Sequence, residues 1–491
     1  MCGFGLFASY GGKTMQEILT FLYENILSVA LMVMLIFAGI FLSSKMRFMQ
    51  FGRFGYMMKN TAGTLFDKNV HKREQGAVSP FQAVTTALAG TIGTGSIAGL
   101  ATALVSGGPG AVFWMWVSAL FGMVTKYSEI VLSLKYREKN SDGAYVGGPM
   151  YYIKNGLGIK WLAALFAIFA MIACLGTGNA TQSNSISTVL NSTLNIPVWV
   201  TGIVLTIIVG AVILGGVKRI ASVNEKLVPV MAVFFIVASV VALGVNFTKI
   251  PAAFALIFKE AFNFKAAFGG VAGYGVIAAM RYGIGRGVFT NEAGLGSAPI
   301  AHAASSTKDP AKQGLWGMFE VFVTTIVICT LSALVVLTSD VYLDAFYAGT
   351  QPMMNGIAVN GPSLSSAAFG EPLAFVGEVG IAVATVFFAL STILGWAYYG
   401  EVCAGYLFRK HSKIAVWSYR IVYVVFVFIG ALANLGLIWS IADVMNVLMA
   451  VPNLIGIIGL YKVVVSVTRD HFRKNKSSDE TPVSESTPSE Q

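Results

Sequence analysis

Charged residues are scarce in this chain of 491 residues. They make up 11% of the sequence, whereas a soluble domain has about 25%, and none occurs between Glu74 and Lys126. Hydrophobic residues make up 56%, and the mean hydropathy is +0.72. A chain so poor in charge does not form a series of soluble domains, so the composition predicts an all-α polytopic membrane protein.

Other absences narrow the function. The four cysteines are far apart and have neither metal-binding nor disulfide spacing, which predicts buried core thiols. No spanning segment contains a Gly-x-Ser-x-Gly motif, so neither an intramembrane hydrolase nor any other enzyme is predicted. Residues 1–14 lack the basic and apolar regions of a signal peptide, and Met15 is a more natural start of the first helix.

Eleven apolar segments are long enough to span a bilayer, which takes about 20 residues each. Loop 43–79 is rich in Lys and Arg, whereas loop 338–372 contains neither. Most other basic loops fall on the side of loop 43–79, so the positive-inside rule predicts a plasma-membrane protein with its N-terminus outside and its C-terminus in the cytoplasm. The net charge of +10 is therefore a topology signal, and no nucleic-acid partner is predicted. The segments are 18–42, 80–104, 111–134, 161–190, 197–214, 227–246, 267–290, 313–337, 373–400, 415–436 and 438–467.

Without the first span, ten spans remain, and they divide into two sets of five. Because five is odd, the second set enters the membrane from the opposite side, which is the condition for an inverted repeat. The predicted organisation comprises an N-terminal extension (1–17), the first transmembrane helix with a cytoplasmic loop (18–78), two five-helix repeats (79–246 and 247–467) and a disordered cytoplasmic tail (468–491).

Four glycines fall within residues 90–99, inside the charge-free segment. Each costs a helix about 1 kcal/mol relative to alanine, and unwound backbone at membrane depth persists only where it faces protein or a solvated cavity. The segment therefore favours a discontinuous helix that binds a substrate or an ion, as in secondary transporters. Close helix packing through small residues is the alternative interpretation.

An inverted repeat predicts a second interruption in the segment that opens the second half. That segment contains a run of glycines followed by NEAGLGSAP at residues 291–299. Two interrupted helices at matching positions indicate a binding site near the bilayer midplane. They favour a carrier over a channel, for which a filter or pore-lining charge pattern would be expected. The glycines are Gly269, Gly270, Gly273, Gly275, Gly283, Gly285 and Gly287.

Several long motifs carry a family resemblance: residues 107–116 (GGPGAVFWMW), 79–83 (SPFQA), 147–151 (GGPMY), 286–299 and 392–396 (TILGW). Together they resemble the alanine or glycine:cation symporters, also called sodium:alanine symporters. The resemblance implies a five-plus-five inverted-repeat fold preceded by one extra helix, with import of alanine and glycine coupled to Na⁺. An H⁺-coupled symporter or an amino-acid exchanger of the same fold is the alternative. The sequence leaves the oligomeric state open, with a monomer as the working hypothesis.

An amino-acid zwitterion needs donors for its carboxylate and acceptors for its ammonium. Backbone N–H groups at the first break, at Gly93, Thr94 and Gly95, can serve the carboxylate, and the Thr91 carbonyl can accept from the ammonium. By resemblance, Gln182 is the best further substrate contact, with Asn179 on the same side of its helix. The resemblance also implies an apolar wall formed by Phe289 and Trp396.

The coupling ion needs a cage of oxygen atoms. The break offers the carbonyls of Ala89 and Ile92, and Ser391 and Thr392 supply hydroxyl groups from an otherwise apolar run. Bonding of these hydroxyls to carbonyls of the preceding turn is the alternative, and the family resemblance favours Na⁺. The family usually has asparagine where Ser96 stands, which changes whatever that side chain contributes.

Charged residues within the spans are functional candidates by default. Lys126 and Glu129 lie three residues apart on one helix face, which favours a structural ion pair over a proton relay. Glu320 is predicted to pair across the helix bundle. Arg281, Arg286 and Glu292 are predicted to form a cytoplasmic gate with partners such as Glu225 or Glu401.

Overall fold

Helices dominate the structure, a computed structural model that describes residues 15–67, 70–72, 77–263, 275–354, 356–433 and 435–479. The α-helices are Met15–Leu22, Ser28–Lys45, Met49–Gly52, Phe54–Asn60, Pro80–Thr91, Ala98–Gly107, Gly110–Lys135, Pro149–Tyr152, Lys160–Leu175, Thr181–Leu194, Val198–Ile213, Gly216–Val245, Ile250–Ala261, Val276–Asn291, Ala298–Ala303, Pro310–Val321, Thr330–Leu337, Asp340–Ala348, Pro362–Leu407, Ser412–Leu432, Leu435–Gly459 and Tyr461–Asp479.

Short irregular turns and two hairpins complete the described elements. Turns of π-helix are Tyr23–Leu27, Ile153–Leu157, Gly176–Ala180 and Phe322–Cys329, and 3₁₀ turns are Ala62–Thr64, Thr94–Ser96, Phe247–Lys249 and Arg409–His411. Each hairpin pairs two antiparallel strands of two residues: Glu138–Lys139 with Tyr145–Val146, and Met353–Met354 with Ile357–Ala358.

A described helix lies in each of the eleven predicted segments, with differences at the ends. Eight are long and apolar enough to span a membrane, and a ninth span is formed by Pro80–Thr91 and Thr94–Gly107, which meet at an angle of 53°. Val198–Ile213 is a shorter apolar helix. The segment predicted at 267–290 is helical from Val276 to Asn291, whereas Gly269, Gly270 and Gly273 lie outside the described residues. The predicted polytopic all-α architecture is confirmed.

Two sets of helices follow the first helix, Ser28–Lys45. One runs from Pro80 to Val245 and the other from Val276 to Gly459, and each opens with an interrupted helix. We call Pro80–Thr91 with Thr94–Gly107 the first broken helix, and Val276–Asn291 with Ala298–Ala303 the second broken helix. The five-plus-five inverted repeat with one extra N-terminal helix is confirmed.

Local sequence explains where the first broken helix begins. Ser79 and Gln82 form a capping box, in which the Ser79 hydroxyl accepts from the Gln82 N–H at 3.1 Å and the Gln82 side chain accepts from the Ser79 N–H at 3.2 Å. Pro80 occupies the first helical position, where its missing N–H costs nothing. The start of this helix is therefore fixed by its own residues.

The two ends of the molecule differ in charge. The basic face, defined by Arg137, Lys218 and Arg409, lies at the Pro80 end of the first broken helix, where Val78 forms a β-bridge with Ser305. The opposite face lies at Gly107. One prediction fails at the basic face, because Tyr461–Asp479 is helical and residues 468–479 therefore do not form the predicted disordered tail.

Candidate functional site

The first break interrupts the helix at Ile92 and Gly93. Ile92 has ψ of 66° and Gly93 has ψ of −164°, so the backbone is extended between the two helical halves. A Cβ added at Gly93 would lie 2.5 Å from Thr392 Oγ1 and 3.4 Å from Gln182 Oε1. Only glycine therefore fits between these two side chains without displacing one of them.

Gln182 lies directly against this break. Its Oε1 accepts from the Thr94 hydroxyl at 2.9 Å and from the Thr94 N–H at 3.3 Å, and its Nε2 donates to the Thr177 carbonyl at 3.0 Å. The side chain is buried. The structure thus brings together three of the residues named for the substrate, namely Gly93, Thr94 and Gln182.

The other polar side chains of this segment pack the helices together. Asn179 donates to the Tyr423 carbonyl at 2.7 Å, and Asn184 donates to the Ala433 carbonyl at 2.8 Å. Asn179 therefore faces a neighbouring helix and does not lie with Gln182. Hydrogen bonds between packed helices therefore account for Asn179 and Asn184.

The two hydroxyls assigned to the ion lie beside the first break. Thr392 Oγ1 is 2.8 Å from the Ala89 carbonyl oxygen and 2.9 Å from that of Phe388, one turn earlier. Ser391 Oγ is 2.9 Å from the Phe388 oxygen and 3.5 Å from that of Ala89. Bonding to the preceding turn is therefore present, and Thr392 also reaches across to the break.

The remaining predicted positions lie near the same centre. Thr91 bonds back to the carbonyls of Ala87 and Leu88 at 3.2 Å, so its side chain faces its own helix. Ile92 is buried, and its N–H donates to the Leu88 carbonyl at 2.7 Å. The Ser96 hydroxyl is buried beside the Cys329 thiol and makes no hydrogen bond to a nitrogen or oxygen atom of the described residues.

Trp396 connects the two broken helices. Its indole N–H donates to Glu292 Oε1 at 2.8 Å and lies 3.4 Å from the Gly90 carbonyl. The other oxygen of Glu292 accepts from the Ser297 hydroxyl at 2.5 Å. Glu292 thus stands in the second break with both oxygens hydrogen-bonded. The sequence did not indicate that Glu292 lies between the two breaks.

Phe289 lies on the opposite side of the first break. A Cβ at Gly95 would be 2.9 Å from its ring, and the ring itself packs on Trp439 with centroids 5.0 Å apart. Arg286 lies over Trp439 at 4.8 Å and pairs with Asp443 through two contacts of 3.2 and 3.4 Å. Aromatic rings and an ion pair therefore close the site toward the face at Gly107.

This arrangement corrects the predicted gate. Arg286 pairs with Asp443, whereas Glu225 accepts from Gln82 at 2.7 Å and Glu401 pairs with Arg420 at 2.8 Å. Gly107 packs against Tyr282, so this half of the second broken helix lies at the face opposite the basic one. Asp443 was missed, although a carboxylate in an apolar span was itself the signal.

A second correction concerns the charges near the second break. Lys126 does not pair with Glu129; its ammonium lies 3.3 Å from Glu320 Oε2 and donates to the Asn291 carbonyl at 2.8 Å. His302 lies 3.2 Å from the other oxygen of Glu320. The predicted pairing of Glu320 across the bundle is confirmed.

A cavity of about 700 Å³ opens on the basic face. Its lining includes the first hairpin, Tyr398, Glu401 and Arg420. Near its mouth, Glu138 contacts Arg409 and lies 3.3 Å from Lys154. Tyr398 and Glu401, which line the cavity, follow Trp396 within two turns of the helix Pro362–Leu407, so the cavity approaches the site from the basic face.

Comparisons with known proteins identify the family of this chain. A family model described as the sodium:alanine symporter family matches residues 12–486. A sodium/alanine symporter of Methanococcus maripaludis is 45% identical over 455 residues, covering 91% of this chain and 96% of the relative. A probable sodium/glutamine symporter of Bacillus subtilis is 36% identical over 471 residues, covering 94% and 93%.

Among solved structures, MhsT in complex with L-phenylalanine shares the fold, with a TM-score of 0.54 at 12% identity over 81% of this chain and 99% of that chain. Two broken helices that meet at a buried polar centre, in inverted repeats, define a secondary transporter. The chain belongs to the sodium:alanine symporter family, a family of transporters and not of enzymes.

Proposed function

We propose that this protein imports small neutral amino acids, alanine and glycine, by symport with Na⁺. Alternating access takes place around the site between the two broken helices, with the basic face toward the cytoplasm. The observation that carries the proposal is the meeting of Gly93, Gln182 and Thr392 at the first break. The names of the sodium/alanine and sodium/glutamine relatives support the same class of substrate and ion.

The substrate is held largely by backbone. Its carboxylate takes the N–H groups at Gly93, Thr94 and Gly95, because N–H groups at the start of a helix favour an anion. The carbonyl of Thr91 accepts from the ammonium. The Thr94 N–H, which donates to Gln182 Oε1 at 3.3 Å, turns to the substrate carboxylate, while Gln182 keeps its bond to the Thr94 hydroxyl and contacts the substrate. No charged side chain is needed at these positions for a zwitterion.

Side-chain size is limited by Phe289 and Trp396. A Cβ at Gly95 would already crowd the Phe289 ring, and the Trp396 indole nitrogen lies 3.4 Å from the Gly90 carbonyl. These close approaches leave little free space between the wall and the first break. A short substrate side chain fits such a wall, which favours alanine and glycine over larger amino acids.

The Na⁺ site is formed by the carbonyls of Ala89 and Ile92 and the hydroxyls of Ser391 and Thr392. Oxygen ligands suit a hard cation, and Thr392 Oγ1 and the Ala89 oxygen are 2.8 Å apart. That spacing is short enough for both atoms to contact one ion. The four ligand residues come from the first broken helix and from the long helix Pro362–Leu407. Binding of the ion therefore links these two helices and couples the movement of alanine to the Na⁺ gradient.

Uptake of labelled alanine into proteoliposomes tests the proposal, with a Na⁺ gradient and a pH gradient imposed separately. Uptake driven by an inward Na⁺ gradient alone supports the proposal. Uptake driven only by a pH gradient would show that the coupling ion is H⁺ and not Na⁺. Competition by glycine, glutamine and leucine then defines the substrate class, and glutamine as the preferred competitor would refute alanine and glycine as the substrates. Counterflow of labelled alanine separates a carrier from a channel, because only a carrier shows trans-acceleration.

A further inference from the structure

Glu129 is a buried carboxyl group that the proposed transport site does not use. It lies on helix Gly110–Lys135 and is fully buried. Its Oε1 accepts from the Gly294 N–H at 3.0 Å and from Asn453 Nδ2 at 2.5 Å. Its Oε2 is also buried and has no hydrogen-bond partner among the described residues. This carboxyl group at membrane depth therefore has one oxygen that accepts no hydrogen bond from the described residues.

The nearest cation is engaged elsewhere. The ammonium of Lys126 binds the Asn291 carbonyl and the Glu320 carboxylate, so it makes no ion pair with Glu129. His302 also faces Glu320. The Gln313 amide nitrogen lies 2.8 Å from His302 Nδ1. Because that nitrogen can only donate, Nδ1 accepts from it and Nε2 faces Glu320.

The groups around the second break are therefore unbalanced in charge. Three carboxyl groups, Glu129, Glu292 and Glu320, face one fixed cation, Lys126, and the Tyr152 hydroxyl, bonded to Asn453, adds no charge. An isolated buried carboxylate is costly enough that such groups are usually paired or neutralised. At least one carboxyl group of this cluster therefore gains stability by taking up a positive charge.

Hydrogen bonding distinguishes the three carboxyl groups. Both oxygens of Glu292 accept, from the Trp396 indole and the Ser297 hydroxyl, and both oxygens of Glu320 face Lys126 or His302. Glu129 Oε2 and Glu320 Oε2 both accept no hydrogen bond, but Glu320 Oε2 lies 3.3 Å from the Lys126 ammonium. Among the described residues of these three carboxyl groups, Glu129 therefore has the oxygen with neither a hydrogen-bond donor nor a cation beside it. The groups bonded to Glu129 are N–H donors, which cannot ligate a metal ion, so the positive charge that fits here is a proton.

We propose that Glu129 is a proton-binding site at the second break, and that it is protonated in this conformation. When the break rearranges and water reaches Oε2, the O–H bond breaks, the proton passes to water and a carboxylate remains. For its effect on transport this inference rests on the proposed function; the binding of the proton does not.

The surroundings of Glu129 connect this proton to the backbone of the break. Gly294 has φ of +90°, a conformation that favours glycine, and it contacts Glu129 through its N–H. Asn453 donates both to Glu129 and to the Gly294 carbonyl at 2.8 Å. A change of charge on Glu129 therefore alters the hydrogen bonds that hold Gly294 and the helix Leu435–Gly459 together.

Infrared difference spectroscopy of the purified protein tests proton binding without transport. We expect the C=O band of a protonated carboxylic acid near neutral pH, lost in Glu129→Gln and kept in Glu378→Gln, a control outside the cluster. The band should disappear as the pH is raised. An unchanged band in Glu129→Gln, or its loss in Glu292→Gln instead, would overturn the assignment.

Transport measurements test the consequence. Uptake of alanine at saturating Na⁺ should vary with pH from about 5 to 9, the range in which buried carboxyl groups titrate, and become flat in Glu129→Gln. Glu129→Asp should keep a pH dependence, and counterflow in Glu129→Gln should persist, showing that the variant is folded. A profile in Glu129→Gln identical to that of the parent refutes the transport role. Absence of any Na⁺-driven uptake in the parent refutes the proposed function and leaves the infrared result to decide on the proton.

Discussion

Replacing Thr392 by alanine tests the proposed Na⁺ site most directly. The hydroxyl of Thr392 carries one proton but has two carbonyl oxygens within 2.9 Å, those of Ala89 and Phe388. It can donate to only one of them at a time. An ion that contacts Thr392 Oγ1 and the Ala89 carbonyl would remove this competition, since the hydroxyl could then donate to Phe388 while its lone pair faces the ion.

The expected loss of Na⁺ affinity in Thr392→Ala follows from the strength of a contact to a charged group. Such a contact contributes about 1.5–3 kcal/mol, and every 1.4 kcal/mol is about tenfold in affinity. Thr392→Ala should therefore raise the Na⁺ concentration for half-maximal alanine uptake by roughly 10- to 150-fold. The affinity for alanine at saturating Na⁺ should change far less, because the substrate contacts are on other groups.

Thr385 provides a matched control on the same helix. It is buried, and its hydroxyl bonds to the Ile381 carbonyl at 2.8 Å, one turn earlier. Thr385→Ala removes the same atoms away from the break and should leave the Na⁺ dependence unchanged. Thr392→Ser, which keeps the hydroxyl, should retain most of the Na⁺ affinity. An unaltered Na⁺ dependence in both Ser391→Ala and Thr392→Ala would place the ion elsewhere.

Three further outcomes are expected. Gly93→Val should abolish uptake while the protein still inserts, because the new side chain meets Thr392 at 2.5 Å; normal transport would favour simple helix packing. Gly99→Val is the control, because a Cβ at Gly99 would meet Arg286 Cδ at the ordinary contact distance of 4.0 Å. Trp396→Ala should let larger amino acids compete better with labelled alanine, or should abolish transport. An unchanged competition profile across glycine, alanine and leucine would show that Trp396 is not part of the site. Asp443→Ala should reduce uptake by leaving Arg286 unpaired, and exchanging the two charges should restore part of it; no restoration would argue against the ion pair as a gate.

The spans and the first break were predictable because they depend on local composition. Hydropathy indicates each spanning segment, and glycines such as Gly93 indicate unwound backbone. The family resemblance added Gln182, which the structure places against Thr94. Neither signal depends on which helices become neighbours in space.

Charge partners were not predictable, since they depend on the tertiary arrangement. Spacing on one helix face suggested that Lys126 pairs with Glu129, but the lysine reaches across to Glu320 on another helix. Composition likewise predicted a disordered tail after residue 467. That segment is helical because it packs on the basic face, where Thr468 bonds Tyr127 at 2.9 Å and His471 bonds Asp309 at 2.6 Å.

The π turn at Gly176–Ala180 has a consequence for how the length of its helix can change. Each residue of an α-helix rotates the chain by about 100°, so an extra residue in a regular helix would turn Gln182 away from Thr94. A π turn takes up one extra residue within itself, and the helix on either side keeps its phase. The chain can therefore differ by one residue at this turn while Gln182 stays against the first break.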